Sequence, residues 1–171
     1  MRWQGPPFPE HPPAEGAAMS PVAIYNREFE ALQDTDTVGD ATQRMLEHRV
    51  SDLPVVDASG KLLGMFKLDR LLASLLPAAV LVGYGVPDLA FVANTLDELR
   101  ERMATLVDRP VREFSVKPDH VVHPDTAPVE IVLHLYRGTN NLPVIGRKDG
   151  KLVGMVSARD VLAALDAKAR R

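Results

Sequence analysis

The chain has 171 residues, of which 46% are hydrophobic and 25% are charged, as is typical of a soluble globular protein. Its formal net charge of −3 provides no basic surface for nucleic acid, so we expect no nucleic-acid partner. Cysteine is absent, which excludes disulfides, thiolate zinc sites and cysteine nucleophiles. This composition fits a reducing compartment, and we expect the protein to be cytoplasmic.

Residues 1–19 are rich in proline and contain no apolar run of the kind found in a signal peptide. Proline lacks a backbone donor and fixes φ, so neither helix nor sheet is expected in this segment. We predict a flexible tail that lies outside the fold.

Two short motifs occur twice in the chain. Leu53–Val56 and Leu142–Ile145 both begin Leu-Pro-Val, and each is followed by Gly-x-Leu-x-Gly-Met, at 60–65 and at 150–155. The copies lie 89 residues apart at the first motif and 90 apart at the second. Self-similarity of this length predicts two copies of one supersecondary unit that bury their apolar faces against each other.

In the first repeat, residues 20–76, Thr37 is predicted to cap a helix. The inner face of this helix is expected to consist of Val38, Ala41 and Met45, which follow at helical spacing. The remaining predicted elements are strands at Leu53–Val56 and Leu62–Phe66, a turn at 57–60, and a helix from about Asp69.

Residues 77–109 are predicted to form a helical connector between the repeats. The least polar stretch of the chain, Leu71–Val92, overlaps this connector, and a membrane span is one interpretation of it. Pro77 and Pro87, together with two glycines, interrupt the stretch, whereas a span needs about twenty continuous apolar residues. A buried connector is therefore the preferred interpretation.

The end of the connector has the pattern of a capped helix. Thr95 and Glu98 form a capping box, and the helix is expected to end near Pro110. We expect this helix to pack on the fold, with a partner-binding helix as the alternative. Its apolar stripe is predicted to be Leu96, Leu99, Met103 and Leu106.

The second repeat, residues 110–171, is predicted to contain the same order of elements. Extended pieces are expected at Glu113–Val116 and at 121–122, followed by a helix capped by Thr126 and ended by Gly138. Its buried stripe is predicted to be Val129, Val132, Leu133 and Tyr136. The remaining elements are strands at Leu142–Ile145 and Leu152–Val156, a turn at 148–150, and a helix from Ser157 with Val161, Leu162 and Leu165 facing inward. Each repeat therefore consists of strand, helix, strand, strand and helix, which predicts an α+β fold.

The strongest chemical candidate is the start of the last helix. Ser157 places a hydroxyl beside free backbone amides, where a phosphate is favoured, and Asp160 can accept two ribose hydroxyls. Arg159 adds a positive charge. The same Ser-x-x-Asp spacing also forms a capping box in which the two side chains satisfy only their own helix, and the spacing alone favours this second interpretation.

The doubled Leu-Pro-Val motif, with its glycine turn and the Gly-x-x-Ser-x-x-Asp that follows it, resembles a tandem cystathionine-β-synthase (CBS) domain pair, or Bateman module. The resemblance covers about residues 20–76 and 110–168. It implies two βαββα repeats packed about a pseudo-twofold axis, with two clefts between them. It also implies that a cleft binds an adenosine-containing ligand (AMP, ADP, ATP or S-adenosylmethionine) and that two chains form a dimer.

The resemblance assigns residues from both repeats to each cleft. The first cleft is expected to be formed by Thr37, Val50, Ser51, Asp52, Leu53, Pro54, Ser157, Arg159 and Asp160. The second cleft is expected to be formed by Lys67, Asp69, Arg70, Thr126, Asn140, Asn141, Leu142 and Pro143.

The second cleft departs from the family pattern. Lys67 and Arg70 occupy the positions that correspond to Ser157 and Asp160, and a guanidinium has hydrogen-bond donors only. We therefore expect one adenosyl ligand per chain. Phosphates attracted by the two cations would favour the more phosphorylated nucleotide.

No catalytic constellation is apparent. The five histidines include no His-x-x-x-His pair, and the chain has neither a phosphate-binding Gly-x-x-x-x-Gly-Lys-Ser loop nor a Gly-x-Ser-x-Gly elbow. The sequence therefore predicts a regulatory module without enzymatic activity, required cofactor or metal site. A ligand-free dimerisation scaffold for an unidentified protein partner is the alternative. The apolar terminal helices of the repeats favour a homodimer.

Overall fold

The structure, a computed structural model, describes residues 24–76 and 95–169. The predicted proline-rich tail and most of the apolar stretch Leu71–Val92 lie outside these residues. No helix within the described part of the chain combines the length and apolar character needed to cross a membrane.

The first repeat contains three strands and two helices in the predicted order. Thr37 caps the first helix with a capping box completed by Asp40, and Val38, Ala41 and Met45 are buried, as predicted. Gly60 lies in the hairpin turn with φ of 83°, a value that an L side chain rarely adopts. The elements are β1 (Leu32–Gln33), α1 (Val38–His48), β2 (Asp52–Val56), β3 (Leu62–Lys67) and α2 (Leu68–Leu75).

A connector helix and the second repeat follow. The capping box of Thr95 and Glu98 is confirmed, and Met103 and Leu106 pack on the first repeat, whereas Leu96 is exposed. The elements are α3 (Leu96–Ala104), a 3-10 helix (Val111–Glu113), α4 (Pro128–Tyr136), β4 (Asn141–Ile145), β5 (Leu152–Ser157) and α5 (Ala158–Ala169).

The two hairpins have the same register. In the first repeat, β2 pairs antiparallel with β3 and parallel with β1; in the second repeat, β4 pairs antiparallel with β5. A register shift occurs after Val55 in one hairpin and after Val144 in the other, which are equivalent positions. The repeated motif thus encodes a complete hairpin, including its irregularity.

The segment that leads into each repeat pairs with the hairpin of the other repeat. Asn26 and Met155 exchange two backbone hydrogen bonds of 2.8 and 2.9 Å, and so do Met65 and Val116. Asn26 is equivalent to Val116, and Met65 is equivalent to Met155, at an offset of 90 residues. These reciprocal contacts relate the repeats by a pseudo-twofold axis and give the expected α+β arrangement.

The apolar faces of the second repeat differ from those predicted. In α4 the predicted stripe is wrong: Val129 is 75% exposed, and the buried side chain is Ile131. Helix α4 is apolar on nearly every side, so helical periodicity does not determine which face is buried. All four predicted stripe residues, Val129, Val132, Leu133 and Tyr136, are exposed. In α5, Val161 packs on the core as predicted, but Leu162 and Leu165 are exposed.

Two further predictions at the start of the second repeat are wrong. Thr126 does not cap α4, because the N-cap is Ala127 and Pro128 occupies the first helical turn. Proline is favoured at that position because it donates no hydrogen bond and its φ suits the helix. Thr126 is instead buried, and its hydroxyl accepts from the backbone N–H of His123 at 2.8 Å. The predicted extended piece Glu113–Val116 is largely a 3-10 turn, with a β-bridge only at Val116.

Candidate functional site: two cavities between the repeats

A cavity of about 540 Å³, here called cavity A, lies between the repeats beside the start of α5. Its walls come from the leading segment before β1, from the end of α1, from β2, and from the β5–α5 junction. It is lined by Asn26, Glu28, Phe29, Glu30, His48, Val50, Asp52, Leu53, Pro54, Asn141, Met155, Ser157, Arg159 and Asp160.

Ser157 and Asp160 form a capping box at the start of α5. The Asp160 Oδ2 accepts from the Ser157 backbone N–H at 2.7 Å and from the Ser157 hydroxyl at 2.6 Å. The Asp160 N–H donates to the Ser157 Oγ at 3.3 Å. The capping interpretation of this spacing is therefore correct. Among the described residues, the second carboxylate oxygen of Asp160 has no hydrogen bond, which leaves an acceptor at the cavity wall.

The first repeat contains a matching capping box outside both cavities. Asp40 Oδ2 accepts from the Thr37 N–H at 2.9 Å and from the Thr37 hydroxyl at 2.8 Å. These hydrogen bonds, the backbone one first, lower the pKa of Asp40 because they favour its charged form. Because the two boxes share one geometry, the helix cap itself does not distinguish the residues of a binding site.

Both acidic and apolar side chains line cavity A. Four carboxylates (Glu28, Glu30, Asp52 and Asp160) line it with a single arginine, Arg159. The His48 Nε2 lies 3.7 Å from Glu30 Oε1. The apolar lining residues are Phe29, Val50, Leu53, Pro54 and Met155. Such a combination of an apolar wall and a few polar groups is typical of a small-molecule site.

A second cavity of about 540 Å³, here called cavity B, lies beside the start of α2. Lys67, Arg70 and Lys117 provide three cations here, balanced by Asp52, Asp69 and Asp119. Lys67 Nζ lies 3.3 Å from Asp119 Oδ2. Helix α2 has no side-chain cap, and Asp69 Oδ1 accepts from the adjacent Arg70 N–H at 2.7 Å. The other lining residues are Ser51, Leu68, Leu72, Val116, Gly138, Thr139, Asn140 and Asn141.

The two cavities share a polar wall at the pseudo-twofold axis. Asp52 and Asn141 line both cavities, and they are equivalent residues 89 positions apart. The Asn141 Nδ2 donates to the Asp52 Oδ2 at 3.1 Å. Ser157 lines cavity A, whereas Lys67 and Arg70 line cavity B. The two cations are therefore not part of the lining of cavity A.

The structure brings most of the predicted site residues together. Of the first set, Ser51 lines cavity B instead, and Thr37, whose hydroxyl is bonded within its own helix cap, lines neither cavity. Cavity A collects the remaining seven: Val50, Asp52, Leu53, Pro54, Ser157, Arg159 and Asp160.

Of the second set, five residues line cavity B: Lys67, Asp69, Arg70, Asn140 and Asn141. Leu142 and Pro143, which are buried within β4, do not line it. Thr126 is buried beneath the turn that precedes α4.

The sequence did not identify the contribution of the leading segments. Asn26, Glu28, Phe29 and Glu30 precede β1 and reach cavity A because their segment pairs with β5. Lys117 and Asp119 reach cavity B by the equivalent crossing. No local pattern marks such a crossing, since its hydrogen bonds are made by the backbone.

No group of three histidine, aspartate or glutamate side chains within residues 24–76 and 95–169 is arranged to hold a metal ion. His120 and His134 stack with ring centroids 4.1 Å apart, away from both cavities.

Solved structures with the same fold support this architecture. The CBS-pair protein CBSX2 of Arabidopsis thaliana superposes with a TM-score of 0.67 and 22% identity, over 89% of this chain and 96% of that one. A structure of CBSX2 in complex with AMP gives a TM-score of 0.64 and 21% identity, over 90% of this chain and all of that one. At this level of identity, the likeness shows the fold alone.

A sequence relative is a 17.7 kDa protein from the bps2 3′ region of Acidianus ambivalens, which is 27% identical over 130 residues. The match covers 75% of this chain and 62% of the relative's length. The family model of the CBS domain matches this chain twice, at residues 22–77 and 111–167, which together make up more than half of it. These two matches correspond to the two structural repeats, and the chain therefore belongs to the CBS-domain family as a tandem CBS pair.

Proposed function

We propose that this tandem CBS pair is a regulatory module that binds an adenosine-containing ligand in cavity A and has no enzymatic activity. The observation that carries the proposal is the convergence of both repeats on one cavity that holds the Ser157–Asp160 pair. The solved complex of CBSX2 with AMP, a protein of the same fold, adds support for this class of ligand.

The residues of cavity A provide a different group for each part of such a ligand. The free oxygen of Asp160 is an acceptor for ribose hydroxyls, and the Arg159 guanidinium is a donor for the group at the 5′ position. Val50, Leu53 and Pro54 form an apolar surface for the adenine ring. Among the described residues, the Arg159 side chain is exposed and has no ion pair, so no internal partner must be displaced.

Regulation would arise from a shift between two arrangements of the repeats. Because each repeat provides part of the wall of cavity A, a change in their relative position alters the affinity for a ligand held between them. A ligand can shift the equilibrium only by its differential affinity for the two arrangements. A partner that binds one arrangement more tightly then detects the ligand.

A thermal-shift panel of AMP, ADP, ATP, S-adenosylmethionine and NADH tests the proposal. A ligand present at a hundredfold excess over its Kd stabilises the folded protein by about 2.7 kcal/mol. Asp160→Ala should abolish this shift. Asp40→Ala is the matched control, because it removes the carboxylate of an equivalent capping box that lies outside both cavities. Each variant should lose about 1 kcal/mol of stability through its cap.

Two results would contradict the proposal. If no compound of the panel stabilises the protein, ligand-dependent regulation through cavity A is wrong. If Asp160→Ala and Asp40→Ala respond equally to a ligand that stabilises the wild type, the ligand binds elsewhere.

We further propose that the module forms a homodimer. The exposed apolar side chains of α4 and α5 project outward from the second repeat; Val129 is 75% exposed, Tyr136 68% and Leu162 67%. Symmetric association of two copies is the common way to bury such a surface. Leu162→Glu/Leu165→Glu should reduce the mass measured by light scattering from dimer to monomer. A wild-type monomer at micromolar concentration would rule out the dimer.

The same exposed faces favour the second candidate function, a ligand-free dimerisation scaffold for a partner protein. The two candidates differ in their response to the ligand panel. A scaffold dimerises but shows no shift in melting temperature with any adenosyl compound.

A further inference from the structure

The two cavities have equal volumes of about 540 Å³ but differ in charge. In cavity B, three carboxylates face three cations, and one of each forms the Lys67–Asp119 ion pair. In cavity A, four carboxylates face only Arg159 and the His48 imidazole. Cavity A thus has one carboxylate more and two lysine or arginine cations fewer than cavity B. Glu28 and Glu30 provide two of its four carboxylates, and they belong to the leading segment that crosses to the second repeat.

Glu28 and Glu30 are fixed near cavity A by the backbone. Their segment is anchored to β5 by the paired hydrogen bonds of Asn26 and Met155, and the Glu28 N–H donates to the Asn26 side chain at 2.8 Å. Among the described residues, the Glu28 carboxylate has no ion-pair partner, while that of Glu30 has only His48. The part of the cavity A wall that this segment forms is therefore negatively charged.

A phosphate chain is poorly suited to such a lining. Each phosphate adds one to two negative charges, and like charges a few ångströms apart repel by about 1 kcal/mol even in water and by more near a protein surface. Arg159 is the only arginine or lysine among the lining residues, so it can compensate a single phosphate group at most.

We infer that cavity A selects uncharged or cationic adenosyl ligands without a phosphate chain and discriminates against di- and triphosphates. This inference rests on the proposed adenosine site and replaces the preference for more phosphorylated nucleotides expected from Lys67 and Arg70. Those two cations line cavity B, so a phosphate that they attract binds on the other side of the Asp52–Asn141 wall.

Calorimetric titration of the full chain with adenosine, S-adenosylmethionine, AMP and ATP at low ionic strength tests the inference. Only binding that is lost in Asp160→Asn is counted, because that variant reports on cavity A. We expect affinity to fall in the order S-adenosylmethionine, adenosine, AMP, ATP, with ATP at least about tenfold weaker than adenosine. Raising the salt concentration should reduce this ratio, since screening weakens repulsion between partly exposed charges.

A charge-neutralising pair of substitutions then identifies the source of the discrimination. Glu28→Gln/Glu30→Gln should bring the affinity of ATP to within about threefold of that of adenosine while changing the adenosine affinity little. Glu47→Gln/Glu101→Gln is the matched control, because it removes the same number of exposed carboxylates outside both cavities. The control should retain the wild-type ratio.

The outcomes separate this inference from the proposed function. If none of the four compounds binds in an Asp160-dependent way, the proposal of an adenosine site in cavity A is wrong, and the inferred selection by charge is wrong as well. If adenosine binds but ATP binds equally or more tightly, the proposed adenosine site is supported and the inferred selection by charge is overturned. Equal ratios in the two double variants would also overturn the role of Glu28 and Glu30.

Discussion

Each repeat contains a hairpin of the same register, but different residues pack on the two hairpins. Ten buried hydrophobic residues form the described core of the first repeat; of these, Leu106 comes from the connector and Val111 from the start of the second repeat. Six residues form the described core of the second repeat, including Ile24 from the leading segment. The repeated motif therefore determines the hairpin, while chain outside the motif determines how deeply each hairpin is buried.

The difference extends to the first α-helix of each repeat, α1 and α4. The first N–H groups of α1 donate to the connector: Val38 N–H to the Arg109 carbonyl and Gly39 N–H to the Val107 carbonyl, both at 2.9 Å. At the start of α4, Pro128 has no N–H to satisfy. Thus α1 requires the connector for its hydrogen bonds, whereas α4 begins without a comparable partner.

The largest expected effect comes from shortening equivalent core leucines. Leu53 and Leu142 occupy the same place in the two hairpins and are 1% and 0% exposed. Each Leu→Ala substitution should lower the free energy of unfolding by about 2–5 kcal/mol, because it removes buried methyl groups and leaves a cavity. Leu53→Ala should cost more, since the larger first core has less freedom to collapse into the space. Urea denaturation measures both values, and a larger loss for Leu142→Ala would contradict this ranking of the two cores.

A smaller effect is expected where the leading segments cross. Gly64 and Gly154 are equivalent, and an added Cβ would lie 3.0 Å from the Val116 carbonyl oxygen in the first case and 2.9 Å from that of Asn26 in the second. At Gly154 the Cβ would also contact the Tyr25 ring. We expect each Gly→Ala substitution to cost about 1–3 kcal/mol through overpacking.

Gly154→Ala should have the larger effect of the two because both backbone and ring must move. Hydrogen exchange at the Asn26 and Met155 amides reports directly on this crossing. Unchanged protection of these amides in Gly154→Ala would show that the segment tolerates the side chain.

The smallest expected effect is a dependence of stability on acidic pH through the capping box of α1. The backbone and hydroxyl hydrogen bonds from Thr37 lower the pKa of Asp40 in the folded protein. A group with a depressed folded pKa stabilises above its unfolded pKa, about 3.9, and this contribution is lost as the pH falls through the folded value. Because Asp40 is exposed, we expect a contribution below about 1 kcal/mol.

Asp40→Asn retains an acceptor for Thr37 but does not titrate. Its free energy of unfolding should therefore fall less steeply than that of the wild type as the pH decreases below about 5. Denaturation midpoints measured at several pH values test this, and parallel curves would show that Asp40 is not involved.

The sequence predicted best where only one arrangement of the residues buries the apolar side chains. Helix α1 has a single apolar stripe, and its three buried residues were identified correctly. Helix α4 is apolar on several faces, so the pattern was compatible with more than one orientation, and the choice depended on tertiary packing.

The capping-box pattern also could not predict which helix start lies at the candidate site. Thr37 and Ser157 begin capping boxes of the same geometry, yet only the box of Ser157 lies at a cavity. A local hydrogen-bond pattern describes the start of a helix but contains no information about what lies across from it. The carboxylates of Glu28 and Glu30 reach cavity A through a backbone crossing between repeats, which has no side-chain signature.

The hydrogen bond between Asn141 and Asp52 has a thermodynamic consequence for the two cavities. Because both residues line both cavities, a ligand that draws Asp52 toward cavity A changes the wall that a ligand in cavity B meets. Any resulting change in affinity must be reciprocal: the factor by which the first ligand alters binding of the second equals the factor for the reverse. Two ligands that require the same position of Asp52 would therefore favour each other's binding, and two that require opposite positions would disfavour it.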